Sequence, residues 1–210
     1  MTKPVEIYFL EGNIGAGKTT LLSQLNSDKF NILDEPMEQF CKLEKYNPLD
    51  LFYKKKISNF ALSSYIISIF TKMVINNISL NKINILCRNP FSTVLCFSKL
   101  ARKYKNISDI EFEILLKYLD IYEILLKDYK ITFVYLKVSP EVCYKRMQKR
   151  NRKEEVNVEF EYIKDLDTVY NEYINNIEYK KIIITGETSN INLIKEDFLD
   201  RISNGGEYKI

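Results

Sequence analysis

The sequence predicts an α/β fold, a parallel five-stranded sheet with helices on both faces. Three observations predict it. Short apolar runs alternate with helical periodicities along the chain, the pattern of a parallel sheet covered on both sides. The first apolar run, residues 5–10, leads into Gly12-Asn13-Ile14-Gly15-Ala16-Gly17-Lys18-Thr19, which matches the phosphate-binding pattern G-x-x-x-x-G-K-[ST]. A helix opening, Thr20-Leu21-Leu22-Ser23-Gln24-Leu25, follows at once. Strand, glycine loop and helix in that order specify a P-loop nucleoside-triphosphate hydrolase fold.

The loop has a definite chemistry. Its glycines permit torsions that other residues resist. Successive backbone N–H groups then converge on an anion, and the helix N-terminus adds partial positive charge. Residues 12–20, Thr20 included, are the expected nucleotide-binding segment. Lys18 supplies a full charge to the β- and γ-phosphates of a bound nucleoside triphosphate such as ATP, and the Thr19 hydroxyl ligates Mg²⁺.

The remaining elements follow in order. The helix after the loop is expected to reach about residue 26. A short strand, 31–33, ends in Asp34-Glu35-Pro36. Proline biases Glu35 toward extended backbone, which suits a strand tip. Asn47-Pro48-Leu49-Asp50 is a turn, and a helical segment runs through Leu51, Phe52 and Tyr53. Residues 58–77 form a long helix with Ile66, Ile69, Phe70, Met73 and Val74 on one face. A strand at 83–86 ends at Cys87-Arg88-Asn89-Pro90. Residues 92–103 and 108–128 are helices. The second opens with Ser108 and Glu111, a capping box, and its apolar face is Ile114, Leu115, Tyr118, Leu119, Tyr122 and Leu126. A strand at 131–138 precedes Ser139-Pro140, an N-cap followed by proline at the first helical position. A helix from about 160 to 177, a strand at 181–185 ended by Gly186, and a closing helix at 192–202 complete the chain. No linker or repeat divides it, so residues 1–210 are expected to be one domain.

Composition excludes several classes. The net charge is only +3, which gives no bulk electrostatic case for nucleic acid. No apolar run reaches membrane-spanning length. Met1-Thr2-Lys3-Pro4 leads straight to the first strand, so no signal peptide is expected. The four cysteines form no C-x-x-C pair and are expected as reduced thiols in a cytoplasmic setting. The chain has no histidine. Ser-His-Asp and Cys-His catalysis and Cys/His zinc sites are therefore out, and a carboxylate is the expected proton acceptor.

In parallel sheets ligands bind at the C-terminal ends of the strands. The glycine loop, Asp34-Glu35 and Cys87-Arg88 should therefore open on one cleft. Glu35 suits a general base for an acceptor hydroxyl. Arg88 suits a phosphate clamp. The basic stretch from Lys145 through Arg146, Arg150, Arg152 and Lys153 to Glu155 suits a lid whose arginines close over phosphates.

Together these residues resemble the deoxynucleoside kinase family, over about residues 6–177. Glu11 through Thr19 looks like its E-G-N-I-x-A-G-K-[ST], Glu35-Pro36 its E-P segment, and Arg150-Asn151-Arg152-Lys153-Glu154-Glu155 its lid pattern R-x-R-x-E-E. The resemblance implies transfer of the γ-phosphate of ATP to the 5′-hydroxyl of a deoxynucleoside, a salvage step in DNA precursor synthesis. It implies Glu35 as catalytic base, Phe40 lining the nucleoside pocket, and Tyr53 holding the sugar 3′-hydroxyl with Glu155 as its partner. Arg88 falls on the arginine of the E-R-S motif. Arg146, Arg150 and Arg152 would touch phosphates. A homodimer formed through helices is implied, with residues 108–128 as the candidate helix.

Departures from the family pattern are specific. E-R-S reads Cys87-Arg88-Asn89, so the glutamate that helps place Mg²⁺ is missing. F-Q-T-Y reads Leu62-Ser63-Ser64-Tyr65, so Ser63, or Ser64 on another register, replaces the base-reading glutamine. The aspartate that follows E-R-S in deoxycytidine kinases aligns with Thr93, and the arginine it pairs with aligns with Phe70 or Thr71. A pyrimidine pocket leaning to thymidine is expected, because Thr93 offers no carboxylate to a cytosine amino group. The alternative is a weakened or inactive relative that binds nucleotide or a protein partner. A GTPase is disfavoured, because Asn81-Lys82-Ile83-Asn84 lacks the aspartate of N-K-x-D. No strand ends in a Walker B aspartate unless Asp34 serves.

Overall fold

Among the described residues five strands pair in parallel: β1 Glu6–Glu11, β2 Phe30–Leu33, β3 Ile83–Cys87, β4 Lys130–Lys137 and β5 Lys180–Thr185. Their order across the sheet is β2-β3-β1-β4-β5. The computed structural model describes residues 4–204; Met1–Lys3 and 205–210, both within the span expected as one domain, lie outside the described residues. The chain builds β2 and β3 on one side of β1, then crosses to build β4 and β5 on the other. The crevice at this change of direction lies at the C-terminal end of β1, where such folds bind ligands.

Alternation along the strands assigns each face to a layer. Ile7, Phe9, Leu86, Phe133 and Tyr135 face the first core. Its helices are α4 Asn59–Asn77, α7 Asp109–Leu126 and α9 Phe160–Asn176. Tyr8, Leu10, Ile85, Cys87, Val134 and Leu136 face the second core, with residues of α1 Lys18–Leu22, α8 Pro140–Arg150 and α10 Ile191–Ser203. β4, an interior strand covered on both faces, is buried from Ile131 to Leu136. Short helices fill the connections: α2 Met37–Phe40, α3 Pro48–Tyr53, α5 Pro90–Ser92 and α6 Lys99–Lys103.

Helix ends follow their chemistry. The Ser58 side chain caps α4, and Ser108 with Glu111 forms the complete capping box of α7. Asn151, left-handed at φ 53°, ends α8.

Several expectations need correction. α1 is one short helix that stops at Leu22, and turns carry the chain to β2. Residues 92–103 are not one regular helix; a π-helical stretch, Thr93–Ser98, separates α5 from α6. Such a stretch widens the turn and often marks a functional region. Ser139 precedes α8, but its hydroxyl pairs with Glu187 instead of capping the helix. Ile114 belongs to the outer side of α7, at 38% exposed, while Leu115, Leu119, Tyr122 and Leu126 are buried.

Candidate active site

The glycine loop joins β1 to α1, and its backbone fits only glycine at key points. Gly15 has φ +79°, and a Cβ there would lie 2.1 Å from the Cys143 carbonyl oxygen. Gly17 caps α1 at φ 102°. Asn13 anchors the loop: its Nδ2 donates to the Ile163 carbonyl at 2.9 Å, and its Oδ1 accepts from the Ile14 N–H at 2.8 Å. Arg146 braces the loop from α8, donating to the carbonyls of Ala16 at 3.1 Å and of Gly186 and Thr188 at 2.9 Å each.

Lys18 is folded back into this loop. Its Nζ donates to the Gly12 carbonyl at 2.8 Å and the Asn13 carbonyl at 3.0 Å. Burial, and next the positive charge of Arg88, lower its pKa to about 8. Carbonyl partners satisfy the ammonium hydrogen bonds without supplying a full counter-charge, which an anion would.

The second and third strand ends meet it. Thr19 Oγ1 lies 3.4 Å from Asp34 Oδ1, and Arg88 Nε lies 3.2 Å from Glu35 Oε1. The glycine loop after β1 and the ends of β2 and β3 thus lie together. Arg88 itself is only 6% exposed and has φ +64°. A left-handed arginine costs about 1–3 kcal/mol, and such strain persists only where surrounding contacts fix it. Here the contacts are several. Arg88 Nη1 donates to the Tyr170 hydroxyl at 2.7 Å, and the guanidinium lies 4.6 Å over the Phe97 ring. Tyr170 donates onward to Glu11 Oε2 at 3.2 Å, and Asn89 Nδ2 donates to Glu11 Oε1 at 2.7 Å. Arg88 Nε makes no hydrogen bond among the described residues, so its approach to Glu35 is an unaligned ion pair. Catalytic contacts often align only when substrate arrives.

Glu11, Asn89, Phe97 and Tyr170 were not singled out from sequence as parts of this network. Glu11 is fully buried, and burial raises its pKa to about 7 against the opposing pull of Arg88. Its sequence signals are an acidic residue ending an apolar strand and the first position of the E-G-N-I-x-A-G-K-[ST] match, and neither points to Arg88 or Tyr170. Tyr170 and Phe97 carry none, because their spacing is that of core aromatics.

Other expected residues have varied settings. Glu155 accepts two bonds from Arg150 Nη2, at 2.6 and 2.8 Å, and lies 3.8 Å from Arg152 Nη1. The basic stretch is therefore the end of α8 plus a turn at Lys153–Glu155, with two of its arginines held by one carboxylate. Tyr53 ends α3 and is 41% exposed. Phe40 is 3% exposed and packs on Phe70 with Ile69 and Met73, so it forms part of a small core beneath α4. The Ser63 hydroxyl pairs with Ser98 at 2.9 Å and with Asn59 at 3.4 Å. Ser64 Oγ is buried without a hydrogen-bond partner among the described residues. Thr93 Oγ1 donates to the Asn89 carbonyl at 3.1 Å. Cys87 is fully buried, and burial pushes its thiol pKa up, so it stays neutral. A cavity of about 590 Å³, lined by Phe91, Phe133, Tyr173 and Tyr179 among others, contains none of these residues.

A family model described as deoxynucleoside kinase matches residues 8–204. A probable deoxycytidine kinase of fowlpox virus is 34% identical over 177 residues, covering 81% of this chain and 74% of that protein. Human mitochondrial thymidine kinase 2 is 25% identical over 171 residues, covering 79% of this chain and 63% of that one. Among solved structures, a deoxyadenosine kinase from M. mycoides, with products dCMP and a flexible dCDP bound, has a TM-score of 0.76. That likeness is one of fold, at 22% identity, and covers 94% of this chain and 98% of the other.

Lys18 generates a pH prediction. Its lowered pKa leaves much of it neutral at pH 8, and a bound triphosphate raises that pKa by adding negative charge. ATP binding at pH 8, above the last phosphate pKa of about 6, should therefore take up a fraction of a proton. Calorimetry in two buffers of different ionisation enthalpy measures it; proton release at pH 8 would contradict this account of Lys18.

Proposed function

The chain belongs to the deoxynucleoside kinase family, and on that premise we propose how its residues move the γ-phosphoryl group of ATP to a deoxynucleoside 5′-hydroxyl. The observation that carries the proposal is the convergence of Lys18, Glu35 and Arg88 at three strand ends. Backbone N–H groups of residues 12–20 cradle the triphosphate, and Lys18 turns from the Gly12 and Asn13 carbonyls to the phosphate oxygens. Glu35 accepts the proton of the attacking hydroxyl. Arg88 orients the Glu35 carboxylate and stabilises charge on the transferring group, where a fixed donor in a dry site is most effective. Arg146 keeps the loop in its binding form. Arg150 and Arg152, held by Glu155, supply further charge when they reach the phosphates.

Mg²⁺ fits the start of α1: Thr19 is exposed there and offers a hard oxygen ligand. When bound, the ion neutralises phosphate charge. Tyr53 at the end of α3 holds the sugar 3′-hydroxyl, next to the turn that carries Glu155. The base pocket accepts pyrimidines and leans to thymidine. The support is Thr93, which puts no carboxylate at this position to accept from a cytosine amino group.

One assay tests the reaction: purified protein with labelled ATP and Mg²⁺ against the four deoxynucleosides. Thymidine and deoxycytidine should yield monophosphate ahead of the purines. Glu35→Gln should keep ATP affinity and lower kcat roughly 100- to 10,000-fold, the usual worth of a placed acid–base group. A purine preference would refute the pocket assignment, and an unchanged kcat would remove Glu35 from the mechanism.

The same reading includes a homodimer through α7. Ile110, Ile121 and Ile124 are 68%, 62% and 66% exposed, and with Ile114 they form one stripe along the side of α7 opposite its buried face. An apolar stripe of this kind suits a helix-to-helix interface. Light scattering should give twice the chain mass of 24.9 kDa, falling to one chain for Ile121→Lys with Ile124→Lys. A monomeric wild type rules the dimer out.

A further inference from the structure

The family pattern has an acidic residue where this chain has Cys87. A neutral thiol is a soft group and a poor match for Mg²⁺, which takes oxygen ligands. Cys87 is also fully buried against the second core, away from solvent. The position that should present a carboxylate to the phosphate cleft presents none.

The sheet places another carboxylate beside it. β2 and β3 run in parallel with Leu33 opposite Leu86. One step further along both strands brings Asp34 opposite Cys87. Residues paired across parallel strands project to the same face. On these two strands Ile32 and Ile85 pack toward the second core, the side of α1, so position 34 falls on that side as well. Neighbouring strands are about 4.8 Å apart, so Asp34 offers an oxygen donor one strand away from position 87.

Direct contacts agree with this register. Thr19 Oγ1, the hydroxyl that follows the P-loop lysine, approaches Asp34 Oδ1 at 3.4 Å. The Glu35 N–H donates to the same Oδ1 at 2.8 Å and fixes the carboxylate. Thr19 and Asp34 are both exposed, which leaves room for the waters that Mg²⁺ retains. Two oxygens sharing an octahedral ion at about 2.0–2.1 Å lie about 2.9 Å apart. The pair therefore closes by a small side-chain adjustment.

We propose that Asp34 is the carboxylate that anchors Mg²⁺ beside Thr19, so that the acidic residue absent at position 87 is supplied by the adjacent strand. The assignment rests on the kinase reading above and adds a residue to it. It also changes what Cys87 means: the cysteine is a core residue, and the metal site is complete without it.

The test uses Mn²⁺, a paramagnetic ion of the same coordination preference, and the full chain loaded with ADP. Electron paramagnetic resonance measures free Mn²⁺ and hence affinity, with no turnover required. Asp34→Asn should weaken Mn²⁺ binding roughly 10–100-fold, the range seen when groups that support a metal are removed. ADP affinity in excess chelator should match wild type, which shows that the nucleotide cleft is folded. Cys87→Ala should bind Mn²⁺ as wild type does. Equal Mn²⁺ affinity in Asp34→Asn and wild type, in a protein that phosphorylates deoxynucleosides, overturns the Asp34 assignment alone. A wild type that binds neither ADP nor Mn²⁺–ADP overturns both this assignment and the kinase reading.

Discussion

Arg88 carries a permanent charge to a place that water scarcely reaches, being 6% exposed, and a charge there must be paired or the fold loses several kcal/mol. Much of the cleft follows from meeting that need. Tyr170 from α9 supplies a hydroxyl, Phe97 from the π-helical stretch supplies a ring face, and Glu35 from the end of β2 supplies a carboxylate. Glu11, at the end of β1, is drawn in through Tyr170 and Asn89. One guanidinium thereby ties three strand ends and two helical segments together. The left-handed backbone at Arg88 is held by the same contacts.

This arrangement keeps one part fixed and one part open. Nη1 is committed to Tyr170, while Nε faces Glu35 without an aligned hydrogen bond. The arginine is thus positioned from behind and keeps donor capacity toward the cleft. Lys18 is similarly placed, its ammonium satisfied by the loop carbonyls of Gly12 and Asn13. The basic stretch differs in kind: Arg150 and Arg152 stand at the end of α8 and are neutralised by Glu155 on the same turn. Burial fixes the first two groups, and a partly buried ion pair with Glu155 holds the last.

Much of this was legible in the sequence. The glycine loop, the apolar runs and the absence of histidine led to the fold, to Lys18 and to Glu35. The parallel direction of the strands followed from alternation of strand and helix, because only crossovers can join parallel neighbours; their order across the sheet did not. What stayed hidden depends on contacts between residues far apart in the chain. Tyr170 and Glu11 are separated by 159 positions, and nothing local distinguishes Tyr170 from Tyr173, which lies in the core without such a role. The π-helical turn was missed because Thr93–Ser98 has ordinary helical composition and its widening is set by packing. Asp34 was ambiguous because strand register decides its neighbour, and register is not written in a four-residue strand.

The central claim is that the buried network behind Arg88 positions it for chemistry and does more than hold the core. Tyr170→Phe tests this most directly, since it deletes one oxygen and leaves the ring on Phe97 and Tyr135. Loss of a hydrogen bond to a charged group is worth about 1.5–3 kcal/mol. The account predicts a kcat for phosphoryl transfer lowered roughly 10- to 100-fold, with ATP affinity close to wild type. A variant that melts earlier yet turns over at the wild-type kcat would show that Tyr170 supports only the fold, and would contradict the account.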